Sequence, residues 1–107
     1  MIHLLKSKIQ IKKIFDEGLV LKKDGLLLKY LKLDQKEFFF GVSVPKKNFK
    51  SAVDRNLIKR RLKEVVRKSV KSNPLNSGVS FFLIYNFKTV KDSKKLSVLF
   101  ENLRNSL

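Results

Sequence analysis

The sequence predicts an α+β fold, a two-layer αβββαβα sandwich built on a four-stranded sheet. Three observations lead there. Short extended segments separated by polar turns occupy the first part of the chain, a long stretch free of Gly and Pro fills the middle, and a late segment is apolar on both parities. Helices packed against one or both faces of such a sheet bury all of these apolar surfaces. The 107 residues form one domain, 1–107, and at 43% hydrophobic with nine Phe and two Tyr they can bury a real core.

Taken in order, Ser7 with Gln10 makes a capping box, and Ile11, Ile14 and Phe15 then recur at helical spacing. A helix over residues 7–17 follows, with Gly18 expected as a left-handed stop. Residues 19–22 and 26–33, divided by Lys23-Asp24-Gly25, read as two strands, and residues 38–44 as a third after the polar break 34–37. Ser51 is an N-cap with Asp54 three positions on, and nothing interrupts the helix until Asn73-Pro74. Residues 79–87 form an inner strand covered on both faces. Asp92 or Ser93 caps a last helix whose stripe is Leu96, Leu99, Phe100 and Leu103.

Charge gives the first functional indication. Lys plus Arg number 25 against 9 Asp plus Glu, a formal charge of +16, which calls for a polyanionic partner, nucleic acid first. On the long helix Ile58, Leu62, Val65, Val66 and Val70 share one sector, which docks on the sheet. Asn56, Lys59, Arg60, Lys63, Arg67 and Lys71 share the next, at steps of three and four. Glu64 can pair with Arg60, Arg67 or Lys68 but leaves the stripe strongly positive. A merely solvated face would mix its signs. Lys46, Lys47 and Lys50, just before the helix, extend the cationic surface.

The run Gly41-Val42-Ser43-Val44-Pro45-Lys46-Lys47, followed by Ala52-Val53-Asp54-Arg55-Asn56-Leu57-Ile58-Lys59-Arg60-Arg61-Leu62-Lys63-Glu64, resembles the signature of the bacterial ribonuclease P protein subunit. Chain length, basicity and element order extend the resemblance to nearly the whole chain. It implies a fold like domain 2 of ribosomal protein S5, with a left-handed βαβ crossover against the usual right-handed rule. It also implies an accessory subunit, 1:1 with a catalytic RNA that uses Mg2+ to cut the 5′ leader from precursor tRNA in the cytoplasm. The protein supplies no catalytic group and holds no metal. Carried over by position, Lys46, Lys47, Arg55, Asn56, Lys59, Arg60, Lys63 and Arg67 face the catalytic RNA, and Ile11, Phe15 and Lys29 belong to the leader cleft. Leu57 stands where the family has a second Arg, and Ile11 where Phe is frequent. The spacer 48–51 is one residue longer than in some relatives.

Other classes have less support. The chain has no Cys, which excludes thiolate zinc sites, cysteine nucleophiles and disulfides. His3 is the one histidine, expected at a frayed terminus, so a His-based hydrolase lacks its base. Asp16, Glu17, Asp24, Asp34 and Glu37 show no metal-ligand spacing and read as solubilising surface acids. No apolar run approaches the ~20 residues of a membrane span. A membrane-surface helix would need the apolar sector the sheet uses, and a helix-turn-helix would need a partner helix where strands are expected. The serious rival is a general or ribosomal-type RNA-binding protein. It shares the charge but needs no fixed register between Asn56 and Lys59-Arg60. Phe38, Phe40, Phe81, Phe82 and Phe100 are expected in the core, while Tyr30 and Tyr85 are equally suited to stacking on bases or to the sheet rim.

Overall fold

The computed structural model describes residues 2–5, 8–32, 38–73 and 79–106. Its elements are β1 (Ile2–Leu4), α1 (Lys8–Glu17), β2 (Leu19–Lys23), β3 (Leu26–Lys32), β4 (Phe38–Ser43), α2 (Ala52–Ser72), β5 (Val79–Tyr85) and α3 (Ser93–Arg104). Each of the seven expected elements is present, with its ends moved by a residue or two. Ser7, the expected cap of α1, lies outside the described residues. The four expected strands gain a fifth, β1, at the sheet edge, giving the order β1-β4-β5-β3-β2. Three residues of strand carry too little alternation to be read from sequence. Instead of fraying there, His3 is paired with Phe39 in parallel β1–β4 register, and the Leu5 N–H extends the contact to the Phe40 carbonyl at 2.7 Å.

β5 lies at the centre, parallel to β4 and antiparallel to β3. Its alternation divides the core. Val79, Phe81, Leu83 and Tyr85 point into the main layer, where α2 contributes Ile58, Leu62, Val65, Val66 and Val70, and α3 contributes Leu96, Leu99, Phe100 and Leu103. Phe82 points the other way, into a smaller cluster with Leu5 and Ile14 beneath α1. Phe40, Phe81, Phe82 and Phe100 are therefore buried as expected, while the Phe38 side chain lies outside the described residues.

The helix starts follow the capping rules. Ser51 Oγ accepts the Asp54 N–H at 3.4 Å, and Asp92 Oδ1 accepts the Lys95 N–H at 2.8 Å. Asp54 also complements the positive end of α2. The end of α1 departs from expectation, because Gly18 has no positive φ. Glycine is required there by close approach: a Cβ would stand 2.3 Å from the Ile14 carbonyl oxygen and 2.9 Å from that of Tyr30. The positive φ, 53°, belongs to Asp24 in the two-residue β2–β3 turn. Asp is among the few residues that enter this region readily.

The far end of α2 is held by a residue that composition would place on the surface. Arg104 is only 7% exposed. Its Nη1 donates to the Ser69 carbonyl at 2.9 Å and to Ser69 Oγ at 2.7 Å, and its Nη2 donates to the Asn73 carbonyl. Ser69 in turn donates its hydroxyl to the Glu101 carboxylate. The guanidinium thus satisfies the Asn73 carbonyl past the α2 C-terminus, adds a second bond to the Ser69 carbonyl, which already accepts the Asn73 N–H, and ties α2 to α3.

Tyr85 is fully buried, which removes it as a base-stacking residue. Its hydroxyl donates to the Thr89 carbonyl at 2.6 Å and accepts the Lys91 N–H at 2.8 Å. Burial pushes the phenol above its ordinary value of about 10. A folded-state pKa raised in this way gives stability that is complete below pH ~10 and is lost as pH rises through the folded value. The stability advantage of the wild type over Tyr85→Phe should therefore be constant from neutral pH to about pH 9 and shrink above pH ~10. Urea titrations of both proteins across that range measure it, and a constant difference to pH 12 would contradict the assignment.

Candidate nucleic-acid interface

The cationic side of α2 divides once its side chains are placed. Asn56, Arg60 and Arg67 are exposed, while Lys59 and Lys63 are half-buried. The last two lean over the edge of β4 and line a groove with Leu4, Leu5, Gly41, Val42 and Phe82. Arg67 lies 6.0 Å from the Phe40 ring centroid. Arg55 is turned back from the stripe: its Nη1 donates to the carbonyls of Phe49 at 2.7 Å and Lys50 at 3.0 Å. It fixes the loop that carries Lys46 and Lys47, both exposed on a turn closed by the Asn48 N–H to the Pro45 carbonyl. Arg61 points to another side and donates to the Lys91 carbonyl at 2.9 Å. Leu57, which stands where the resembling family has a second Arg, is half-buried.

Of the three expected partners of Glu64, Lys68 forms the ion pair, at 2.9 Å, with both side chains largely exposed. That hydrogen bond and the lysine charge hold the Glu64 carboxyl below its usual range, with a smaller pull from Arg60. The pair neutralises the flank of α2 that faces a groove lined by Ser93, Lys94 and Ser97 of α3. The stripe on the opposite flank keeps its charge.

On the other face of the sheet, α1 and β3 bring Ile11, Phe15 and Lys29 together. Phe15 is 38% exposed, and its ring centroid lies 5.2 Å from that of Phe82. The Lys29 ammonium sits 4.9 Å from the Phe15 centroid and 3.5 Å from its carbonyl oxygen. Ile11 is half-buried against the Leu5, Ile14 and Phe82 cluster. The Phe82 ring beneath Phe15 lies over Gly41, its cross-strand partner, whose missing side chain leaves room for it. Gly41, expected as part of a motif, and Phe82, expected in the core, thus also shape the candidate surface through their contact with each other and with Phe15. The even parity of Phe82 on its strand was the available signal.

The groove past the end of β1 joins these two surfaces, since it is lined by Lys59 and Lys63 from one face of the sheet and by Phe82 from the other. The family model described as Ribonuclease P matches residues 2–106. The chain belongs to the ribonuclease P family. The ribonuclease P protein component of Borreliella burgdorferi is 35% identical over 82 residues, which cover 76% of this chain and 66% of that protein. The match thus spans just under two thirds of the relative's length. The ribonuclease P protein of Thermotoga maritima superposes with a TM-score of 0.83 at 21% identity, over 96% of each chain. That of Staphylococcus aureus gives 0.75 at 18% identity, over 96% of this chain and 93% of that one. At such identities these structures speak for the fold.

Within this ribonuclease P fold, the signature residues carried over by resemblance have two placements. Lys59, Arg60, Lys63 and Arg67 form one stripe with Asn56, and Lys46 and Lys47 stand on the loop before it, fastened through Arg55. Among the described residues no three His, Cys, Asp or Glu side chains gather to hold a metal, and no helix is long and apolar enough to cross a membrane.

Proposed function

We propose that this chain is the protein subunit of ribonuclease P, binding the catalytic RNA and the 5′ leader of precursor tRNA, one protein per RNA, in the cytoplasm. The observation that carries the reading is the groove at the β4 edge, where Lys59 and Lys63 of the α2 stripe meet Phe82, the ring against which Phe15 packs. The stripe offers point charges to phosphates, which fix position without reading sequence. The α1 side offers an exposed ring and an ammonium, a combination suited to a single strand, whose bases stack and whose backbone is anionic. Mg2+ and the groups that cleave the phosphodiester belong to the RNA. The residues of this chain hold the two RNAs in mutual register, which lowers the orientational cost of the reaction.

The decisive assay is precursor-tRNA cleavage by a bacterial catalytic RNA at low Mg2+, with and without this protein. Stimulation by wild type and none by protein alone is the expected result. Absence of stimulation, with RNA binding intact, would favour the general or ribosomal-type RNA-binding protein. Two substitutions separate the surfaces. Lys59→Ala with Arg60→Ala should reduce the log–log salt slope of catalytic-RNA binding by roughly 1.4–1.8, at about 0.7–0.9 per phosphate contact. Phe15→Ala should leave that slope in place and weaken precursor tRNA relative to mature tRNA by roughly fivefold or more, the equivalent of ~1–3 kcal/mol of base stacking. Circular dichroism melts establish that the variants fold. A folded Phe15→Ala protein that discriminates the two tRNAs like wild type removes the leader assignment.

A further inference from the structure

The β2–β3 turn and the loops after β4 and β5 meet at one end of the sheet. The registers require it: Leu26 pairs with Tyr85, and Ser43 with Ile84. The Asn86 N–H donates to the Gly25 carbonyl at 2.7 Å, and the Phe87 ring lies between Gly25 and the Tyr85 ring, 5.2 Å from the latter. Asn48 Nδ2 donates to Asn86 Oδ1 at 3.3 Å, joining the loop of Lys46 and Lys47 to the same assembly. Tyr85 and Arg61 fasten the strand-5 loop at residues 89 and 91, and Arg55 fastens the strand-4 loop at 49 and 50.

These interlocked segments carry charge of almost one sign. The hairpin brings Lys22 and Lys23, and the loop after β5 brings Lys88 and Lys91, beside the lysines that precede α2. Asp24 is the one acid in residues 22–25, 44–51 and 86–91. Among the described residues none of these lysines has an ion-pair partner. Lys22, Lys23 and Lys88 are exposed, and the Lys91 ammonium is 5.1 Å from the Phe87 centroid. The fold thus uses backbone bonds and buried rings to bring mutually repelling segments together, an arrangement that is relieved when an anion lies across it.

We propose that the RNA interface turns round this end of the sheet, where Lys22, Lys23, Lys88 and Lys91 form a second phosphate-binding face for RNA backbone. The inference rests on the RNA-binding reading above. Fixed loops with exposed lysines at 22, 23 and 88 suit sequence-independent phosphate contacts. The face is continuous with the Lys46–Lys47 turn through the Asn48–Asn86 bond, so one RNA segment can run from the α2 stripe onto it.

The test compares the triple variant Lys22→Gln, Lys23→Gln, Lys88→Gln with an equal-charge control, Lys8→Gln, Lys12→Gln, Lys13→Gln, on α1. One arm measures catalytic-RNA binding across a salt series. The other measures precursor-tRNA binding to the assembled ribonucleoprotein at saturating protein. The triple variant should lose roughly 2–3 from the salt slope in one arm, at about 0.7–0.9 per phosphate, and the control less than ~1. The arm that responds identifies which RNA lies on the face. Slopes unchanged in both arms, while Lys59→Gln with Arg60→Gln still flattens the first, would overturn this face and leave the α2 assignment standing. A flat slope for wild type would overturn both.

Discussion

Arg104→Met should unfold at a much lower urea midpoint than wild type, with a loss of about 3 kcal/mol and an unchanged m-value. The substitution keeps the aliphatic stem but removes three donated hydrogen bonds, two to Ser69 and one to Asn73. Ser69 and Arg104 are buried, so solvent cannot fully replace the guanidinium there, and a bond to a charged donor contributes about 1.5–3 kcal/mol. Non-additivity within one group keeps the total below three such bonds. The expected fall in melting temperature is roughly 10–20 °C for a domain of this size. Arg104→Lys should recover only part of it, because one ammonium does not span the same fork. Arg60→Met, which removes an exposed cation of the same type, should lie within about 0.5 kcal/mol of wild type. If the two Met variants melt together, the clasp between α2 and α3 contributes nothing to stability.

The second large effect is expected at Gly41, where a Cβ would approach the Phe82 ring to 2.4 Å. Replacing a strand glycine with alanine ordinarily gains roughly 0.5–1 kcal/mol of backbone entropy. Here the clash wins, because Phe82 is packed between Phe15 and the sheet and its ring has to swing outward. Overpacking of this kind costs about 1–3 kcal/mol. Gly41→Ala should therefore be destabilised despite its better strand propensity. It should also lose discrimination between precursor and mature tRNA at least as severely as Phe15→Ala, since it displaces the support of that ring. Catalytic-RNA binding and its salt slope should remain those of wild type. A Gly41→Ala protein more stable than wild type, with the leader effect absent, would show that the ring moves aside at no cost.

These two residues also mark how far the sequence was legible. Periodicity located the buried sectors of α2 and α3 because long amphipathic helices repeat their pattern several times. The doubled parity of β5 correctly announced a strand covered on both faces. β1 was illegible because its stability comes from pairing with β4, a partner far along the chain. Gly18 was read as a left-handed stop, although what demands glycine there is the Tyr30 carbonyl of a neighbouring strand. Arg104 was invisible for a related reason: one more Arg in a chain of 25 cations carries no pattern, and only the meeting of two helix ends makes it a core residue. At the site, residue order was enough to recover the α2 stripe, because it lies on one helix. Gly41 beneath Phe82, the inward turn of Arg55 and the gathering of three basic loops depend on strand order and register, which no local pattern encodes.

Strand order has a consequence for how the chain is made. β5 is the central strand, yet it is among the last elements to be synthesised. Until it emerges, β3 and β4 have no common neighbour, and only the β2–β3 hairpin can pair locally. Contacts between distant segments delay folding, because loop closure must precede them. During translation, α2 therefore leaves the ribosome with its cationic stripe already complete while α3, which packs on it, is still to come. The stripe, whose Asn56, Arg60 and Arg67 are exposed in the folded protein as well, is thus complete before the sheet that supports it.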